Sequence, residues 1–510
     1  MALSSKETVA KNTIFLYIRT LIVLFISLWT SRVILDSLGA RDFGVFNAIG
    51  GLVTLFSVLT GSMASAISRF ITFEIGTGDQ DKLKRVFCAS MIIQIVFVAI
   101  IVVLAETVGL WFLNTKMTIP ADRMVAANWV FQFTLITFCF SLLATPYNAE
   151  LIAHEHMTTY AYVSVVENVL RLVIAFLIYI SPIDRLVFYS LLMTILAMGI
   201  RLFYQIYCTR NFAECSKIVW KADKSLIVEI GKFAGWNMFG SAAITFRTHG
   251  ISILLNMFFG PLLNAAYGIA NQVNAAVMSF THNFTTAFSP SITKAYAEKN
   301  YSYMRSLVLQ GARFSYYLLL IFVLPILFET EAVLNVWLTE VPDHAVSFVR
   351  LILVLSLIEV LSLTIVRAVH ATGNIKKYQI IIGSIALSTI PLAYIFLRFG
   401  ANPESTMIVA ISVTLFTQIV RMLIMKSMIG ISFWVFTKSV FIPITIVTLS
   451  SAIVPIILQI YMEKNVFSII LICMVCVISA LLASFFIGCT KSERKGILSK
   501  IRAILERKTT

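Results

Sequence analysis

The stretch VFCASMIIQIVFVAIIVVLAETVGLWF, at Val86–Phe112, decides the fold, because Glu106 is the only charged residue within it. A helix that crosses a membrane needs about 20 consecutive apolar residues, and this stretch exceeds that length. Similar runs recur along the whole chain, which is 59% hydrophobic and 13% charged. A soluble domain carries about 25% charged residues. The composition therefore predicts an integral membrane protein that crosses the bilayer many times.

A window of about 20 apolar residues finds about fourteen candidate spans. Each is a continuous apolar run, which excludes a β-barrel of alternating segments and predicts an all-α fold. The first is interpreted as a retained helix, since it contains Arg19 and lacks a small-residue cleavage site. The predicted spans are Asn12–Leu35, Phe43–Phe70, Val86–Phe112, Val125–Tyr147, Tyr160–Ile180, Leu186–Tyr207, Ile230–Phe259, Leu262–Phe288, Leu307–Phe328, Val346–Val369, Ile380–Leu397, Thr406–Met425, Trp434–Tyr461 and Val466–Ile487.

A weak internal repeat relates the two halves of the chain. A shift of about 221 residues places Lys11 on Lys232 and Gly39 on Gly260, and parallel repeats of this kind occur in transporters. The alternation of short outer loops and longer inner loops in the first six spans is repeated in the next six. We predict an N-terminal lobe at 1–210, a C-terminal lobe at 211–430, two added helices at 431–490 and a basic amphipathic cytoplasmic tail at 491–510.

Lys and Arg residues concentrate on one set of loops. If the N-terminus is cytoplasmic, that set includes the loop at Lys82–Arg85 and the tail, and it holds most of the 40 basic residues. The positive-inside rule then places both termini in the cytoplasm. The net charge of +15 follows from this bias and indicates no nucleic-acid partner. Tail residues such as Ile497 and Ile501 share one helical face, which predicts binding to membrane lipids.

Arginines inside the predicted spans carry the functional signal. A charge at the bilayer centre costs about 2.5–3.5 kcal/mol on insertion scales, and Arg171 and Arg247 lie near the middle of their spans. Glu167, one helical turn earlier, can neutralise Arg171. Arg247 has no acidic residue in its own span, which leaves an anionic ligand or an ion pair with Glu359 or Glu167 as alternatives. Two more arginines, Arg19 and Arg313, lie near the cytoplasmic ends of their spans, where their side chains can reach the lipid headgroups.

Polar side chains form a stripe on the eighth predicted span. Asn264, Tyr267, Asn271 and Asn274 recur every three or four residues and so share one helical face. Hydrogen bonding between helices is the simpler interpretation, but we favour a wet face that lines a cavity. The second predicted span has a less polar stripe of Ser and Thr residues, and Arg69 lies at the end of that stripe. Because intramembrane acids are few, the interior is net basic, which suits an anionic substrate such as a phosphate group.

Sequence motifs of enzymes are missing. The chain contains no Walker lysine loop, no G-x-S-x-G and no H-E-x-x-H, so we predict no catalytic residues, no cofactor and no use of ATP. Cys473 and Cys476 form a C-x-x-C, but within an apolar helix. His154 and His156 could ligate a metal ion, yet no third ligand is visible nearby. We interpret this stretch as a solvated loop and predict no metal site.

Four segments carry a resemblance to a known family. They are SRVILDSLGARDFGVFNAI at Ser31–Ile49, GKFAGWNMFGS at Gly231–Ser241, AYGIANQV at Ala266–Val273 and ATGNIKKYQ at Ala371–Gln379. Together with the span count and the basic tail, they resemble the Wzx-type polysaccharide flippases. This family belongs to the multidrug/oligosaccharidyl-lipid/polysaccharide exporter superfamily, which also contains the multidrug and toxin extruders (MATE) and the lipid II flippases.

The resemblance implies a MATE-like pair of six-helix lobes around a cavity lined by the first, second, seventh and eighth spans. It implies a lipid-linked anionic oligosaccharide as substrate, an undecaprenyl-pyrophosphate-linked repeat unit that crosses the bacterial inner membrane by alternating access. It further implies a role in O-antigen, capsule or exopolysaccharide assembly, with a polysaccharide polymerase and a chain-length regulator as partners. The predicted substrate-binding residues are Arg247, Arg19, Arg69, Arg171, Arg313, Asn264, Asn271 and Asn274.

Two alternatives remain open at this point. A multidrug extruder of the same fold would favour buried carboxylates for cations and protons, and few are present. A membrane-embedded glycan polymerase or glycosyltransferase would need a large outer loop or an acidic catalytic pair. Neither is visible in the sequence.

Overall fold

The structure is a computed structural model that describes residues 18–23, 25–27, 29–30, 32–34, 36–39, 42, 45–46, 49, 57–115, 119–216, 223–259, 261–338, 341–463 and 465–496. Within these ranges every regular element is helical, so the predicted all-α fold is confirmed. Eleven helices of the described part are long and apolar enough to cross a membrane. The tail is helical at 491–496, and its predicted lipid-facing residues beyond 496 lie outside the described residues.

The chain divides into two compact units. Unit 1 comprises Met1–Ala242, Thr293–Asn300 and Gly373–Lys376, and unit 2 comprises Ala243–Ile292, Tyr301–Thr372 and Lys377–Thr510. The lobe boundary that the sequence places at residue 210 stays a prediction.

Unit 1 is built mainly from long apolar helices, two of which begin at an aspartate cap, Asp79 for α3 and Asp184 for α7. The Asp79 side chain accepts a hydrogen bond from the Lys82 amide and begins α3, as N-cap residues commonly do. A π-helical turn at Ala105–Gly109 joins α3 to α4. The helices are α1 (Ile18–Gly39), α2 (Ser57–Thr77), α3 (Gln80–Leu104), α4 (Leu110–Thr115), α5 (Met124–Ala153), α6 (Met157–Leu177) and α7 (Arg185–Asn211), followed by a 3-10 turn at Ala213–Cys215.

The core of unit 1 surrounds α5, which packs against α2, α3 and α7. Phe131 of α5 lies in a buried cluster with Ile101 of α3. At one end of α5, Arg123 forms ion pairs with Asp42 and Asp184. Burial raises the pKa of Asp184, but hydrogen bonds from Arg123 and two backbone amides outweigh it, so the pKa lies below the ordinary 3.8. The ion pairs therefore tie the start of α7 to the start of α5.

Unit 2 contains the later helices, and α8 and α9 run from one unit into the other. A proline lies inside α9 at Pro290 and inside α10 at Pro325. The helices are α8 (Lys224–Phe259), α9 (Pro261–Ala297), α10 (Tyr301–Phe328), α11 (Thr330–Trp337), α12 (Ala345–Glu359), α13 (Leu363–Ala371), α14 (Lys376–Leu387), α15 (Thr389–Arg398), α16 (Ser405–Ile429), α17 (Phe433–Phe436), α18 (Ile442–Tyr461) and α19 (Val466–Ala483).

Helices α8 and α9 occupy the seventh and eighth predicted spans, and each is longer than predicted. They contain 36 and 37 residues, which exceeds the ~30 Å hydrocarbon core at about 1.5 Å per residue. They are not among the eleven apolar helices of the described part. Polar side chains such as Arg247, His249 and Asn271 lower the mean hydropathy of these two helices.

Large apolar side chains cover much of the outer surface. Phe25, Val125, Phe246, Leu449 and Ile460 expose between 64% and 73% of their surface. Exposed apolar surface on this scale is unfavourable in water and matches a hydrocarbon environment. The bundle is therefore a membrane-spanning protein.

Candidate functional site

Arg247 of α8 lies at the centre of the polar groups of unit 2. Its Nη2 donates to Glu359 Oε1 of α12 at 2.5 Å, and its Nη1 donates to Thr414 Oγ1 of α16 at 3.3 Å. Arg247 itself is 8% exposed. The structure thus provides the ion pair with Glu359 that the sequence left as an alternative, and Arg247 needs no anionic ligand for neutralisation.

The asparagine stripe of α9 forms hydrogen bonds with its surroundings. Asn271 Nδ2 donates to the Tyr267 carbonyl at 3.0 Å, and Asn274 Oδ1 accepts a bond from Ser356 Oγ of α12 at 2.5 Å. Both asparagines remain partly exposed. The Asn271 bond stays within α9, the Asn274 bond fits the interpretation as packing between helices, and the partial exposure leaves both amides some access to a ligand. The side chain of Asn264 lies outside the described residues.

Arg367 of α13 lies in the candidate span Ala345–Ala371 and is partly buried. No hydrogen bond or ion pair joins its guanidinium to any residue that the structure describes. His282 of α9 is close enough to interact electrostatically with it. Arg367 therefore places an uncompensated positive charge inside unit 2.

Arg421 of α16 is a second arginine without an acidic partner among the described residues, and its hydrogen bonds go to neutral groups. Its Nε donates to the Tyr378 hydroxyl at 2.8 Å, and its Nη1 donates to Gln418 Oε1 at 2.6 Å. Arg421 is 8% exposed, and among the described residues no carboxylate forms an ion pair with it. Glu359 balances the charge of Arg247 alone. Arg367 and Arg421 therefore leave this part of unit 2 positively charged.

Sequence reasoning overlooked Arg367 and Arg421. Both lie near the ends of their spans, Ala345–Ala371 and Ser405–Ile429, where an arginine is expected to reach the headgroups. The signal that could have found them is the absence of an acidic residue one turn away on either helix. Arg171, in contrast, has that neighbour.

The remaining predicted arginines divide into two kinds. Arg171 contacts Glu167 at 2.6 Å, as their spacing predicts, and Arg313 contacts Glu493 at 2.6 Å. Each pair is neutral as a whole. Arg19 and Arg69 of unit 1 instead lie over aromatic rings, the first over Tyr160 at 5.0 Å and the second over several rings. Those rings belong to Phe70, Phe73 and Phe233, at 4.5, 4.8 and 5.8 Å.

The interpretation of His154 and His156 as a solvated loop fits His156, which is exposed, but His154 lies against two carboxylates that sequence reasoning did not identify. His154 Nε2 lies 2.6 Å from Glu214 Oε1 and 3.5 Å from Glu150 Oε2. Glu150 precedes His154 by one helical turn. Glu214 is 60 residues later in the chain, after α6 and α7, and only the fold places it beside His154. Sequence proximity alone could not reveal the second contact.

Comparison with known proteins adds little at the level of sequence. No family model matches the chain. A stretch of 129 residues is 20% identical to part of the uncharacterized membrane protein EpsK of Bacillus subtilis (strain 168). This match covers 25% of each protein. The chain thus matches about a quarter of the length of this curated relative.

Comparison of structures gives a much stronger likeness. A multidrug resistance MATE family transporter of the MOP superfamily, in its outward-facing conformation, aligns with a TM-score of 0.70 at 14% identity over 82% of this chain and 96% of that one. The chain has a MATE-like fold. A MATE structure in the bent conformation gives 0.71 at 15% identity, covering 85% and 97%. A MOP superfamily transporter from Pyrococcus furiosus gives 0.69 at 14%, covering 82% and 96%.

The MATE-like fold agrees with the all-helical bundle and the eleven candidate spans of the described part. At these identities the likeness concerns the fold. What the protein carries must be argued from its own side chains.

Proposed function

We propose that this MATE-like protein is a flippase for an undecaprenyl-pyrophosphate-linked oligosaccharide in the cytoplasmic membrane of a bacterium. Arg367 carries the argument, because its guanidinium lies in a candidate span without a carboxylate partner among the described residues. A partly buried charge without a counter-charge is costly wherever it lies in the protein. Pyrophosphate is a suitable partner, since guanidinium groups bind its oxygens in a bidentate fork.

Arg421 supports the same substrate class. Its partners, Tyr378 and Gln418, orient the side chain without neutralising it. Two positive charges on helices that pack against each other, α13 and α16, attract an anion of two or more charges better than a neutral or cationic solute.

The other predicted residues take different roles in this proposal. Asn271 and Asn274 are partly exposed amides that can bind sugar hydroxyls. Arg19 and Arg69 remain candidates for substrate contact, since both combine a guanidinium with an aromatic ring. We assign structural roles to Arg247, Arg171 and Arg313, because each already binds a carboxylate.

A multidrug extruder is the second candidate, and the solved MATE structures favour it. Its cationic substrates need carboxylates. In unit 2, however, Arg367 and Arg421 have no carboxylate partner among the described residues, and Glu359 is already paired with Arg247. The Pyrococcus furiosus transporter shows that the fold admits such a difference, since the reverse polarity of its binding pocket is described as suggesting a different function. A glycan polymerase is the enzyme alternative.

Reconstitution of the purified protein distinguishes these functions. Vesicles are prepared with undecaprenyl-pyrophosphate-linked oligosaccharide on the inner leaflet, and an external glycosidase reports the molecules that reach the outer leaflet. We expect the protein to expose the inner pool, whereas protein-free vesicles keep it protected. A parallel assay measures efflux of a cationic dye under a Na⁺ or H⁺ gradient.

Dye efflux without movement of the oligosaccharide would identify an extruder and contradict the proposal. Growth of the glycan chain in the same vesicles would identify a polymerase. In the proposal both termini are cytoplasmic, and a polysaccharide polymerase and a chain-length regulator act on the flipped product.

A further inference from the structure

A buried cluster of two carboxylates and one imidazole lies where α5 ends in unit 1. Glu150 is in the last turn of α5, His154 follows that helix directly, and Glu214 belongs to the 3-10 turn Ala213–Cys215. One ligand atom from each residue lies within 4.8 Å of the other two. The side chains of Glu150 and Glu214 are 0% and 4% exposed.

The hydrogen-bonding needs of Glu150 are not met. Both of its carboxylate oxygens are buried and have no hydrogen-bond partner. His154 Nε2 can donate a single proton, and it lies nearer to Glu214, at 2.6 Å, than to Glu150, at 3.5 Å. A buried carboxylate in this state costs several kcal/mol. Two ionised carboxylates and a single imidazole leave the cluster negatively charged, so either a cation or a proton shared between Glu150 and Glu214 must balance it.

The surrounding structure holds the His154 ring and the backbone that carries Glu150. The His154 ring stacks on Phe212, with ring centroids 4.2 Å apart and an interplanar angle of 11°. The His154 amide donates to the Glu150 carbonyl at 2.9 Å, which keeps both residues at the rigid end of α5. The His154 ring and the end of α5 are therefore already positioned for a ligand.

The chemistry of the three groups selects a class of ion. One imidazole nitrogen with two carboxylates is a donor set used for zinc and related metals, at about 2.0–2.2 Å from the ion. Magnesium and calcium prefer oxygen ligands alone. Around a tetrahedral ion, ligand atoms lie about 3.4 Å apart, so modest side-chain rotations suffice to convert the observed cluster.

We propose that Glu150, His154 and Glu214 bind a divalent first-row transition-metal ion of the zinc class, with water completing its coordination. The ion joins the end of α5 to the segment that follows α7. The competing occupant of the cluster is a proton shared between Glu150 and Glu214, which would need no metal.

Metal content of the full-length protein tests the proposal. The protein is purified through a histidine-free tag, dialysed against a chelator and incubated with Zn²⁺, Mg²⁺ or Ca²⁺. Bound metal is then measured by mass spectrometry. We expect one zinc ion per chain, no retained magnesium or calcium, and a melting temperature that rises with zinc. Wild-type protein that binds no zinc at micromolar concentrations overturns the proposal and leaves the shared proton.

Isosteric variants locate the site. Glu150→Gln and Glu214→Gln each keep the side-chain volume, and we expect each to weaken zinc binding at least tenfold, as should His154→Gln. His156→Gln is the matched control, because His156 Nδ1 contacts the Tyr207 hydroxyl at 3.2 Å and is outside the cluster. Equal zinc loss in the control, or full zinc binding by Glu150→Gln, would contradict the assignment.

Discussion

Arg367→Gln should reduce export of the lipid-linked oligosaccharide about 10- to 100-fold, since a hydrogen bond to a charged group contributes about 1.5–3 kcal/mol. The glutamine keeps two polar atoms but removes the charge that pyrophosphate would meet. Arg367→Lys should retain part of the activity, because an ammonium group cannot form the bidentate fork. Surface glycan is measured at matched protein abundance, or the vesicle assay is used.

The control for this experiment lies in the same unit. Arg398 is an exposed arginine in the last turn of α15, so Arg398→Gln removes the same charge without touching the proposed site. We expect normal export from this variant. Full export by Arg367→Gln would exclude Arg367 from substrate binding and would remove the main support for an anionic substrate.

Arg247→Gln and Glu359→Gln should each destabilise the protein, and the double variant should recover much of the loss. Breaking a buried ion pair leaves one uncompensated charge and costs about 3–5 kcal/mol. The cost is smaller here because the Glu359 side chain is 29% exposed. Each single variant leaves one charge alone, whereas the double variant leaves none. Thermal unfolding in detergent measures the effect.

The pattern of variants separates a structural role from substrate binding. If Arg247 binds substrate, Arg247→Gln should lose export at normal stability, and Glu359→Gln should be much milder. If the ion pair is structural, both single variants should lose stability together. Normal stability of both variants would contradict the structural role assigned here.

Local sequence patterns predicted the parts of this protein that depend on nearby residues. The apolar run at Val86–Phe112 lies within a candidate span at Gln80–Thr115. The spacing of Glu167 and Arg171 predicted their contact. The eighth predicted span was correctly placed within α9, although the helix extends to Ala297. Helical periodicity is a property of neighbours along the chain, so it can be read directly.

Contacts between distant segments could not be predicted in the same way. Glu359 was named as one possible partner of Arg247, but 112 residues separate the two, and only the packing of α8 against α12 and α16 decides between the alternatives. The cluster around His154 depends on Glu214, 60 residues later. Arg367 was missed because its position near the end of a span suggested contact with the headgroups. Its own helix shows no acidic neighbour, but the lack of a carboxylate from other helices is visible only in the folded structure, among the described residues.

The ion pair between Arg313 and Glu493 affects how the C-terminal end can be altered. Glu493 comes after the last span, yet it binds an arginine of α10 that is 8% exposed. Its other oxygen accepts the Thr490 amide at 2.8 Å. Residues 490–493 therefore belong to the packed structure and are not part of a dispensable extension.

Reporter fusions and shortened chains should therefore keep residues 490–493. A stop codon after Thr490 would remove both the segment predicted to bind lipids and the counter-ion of Arg313, so a defect could not be attributed to either. Ending the chain after Gly496 keeps the ion pair and removes only the amphipathic residues. A fluorescent protein attached there would report insertion and abundance without disturbing α10.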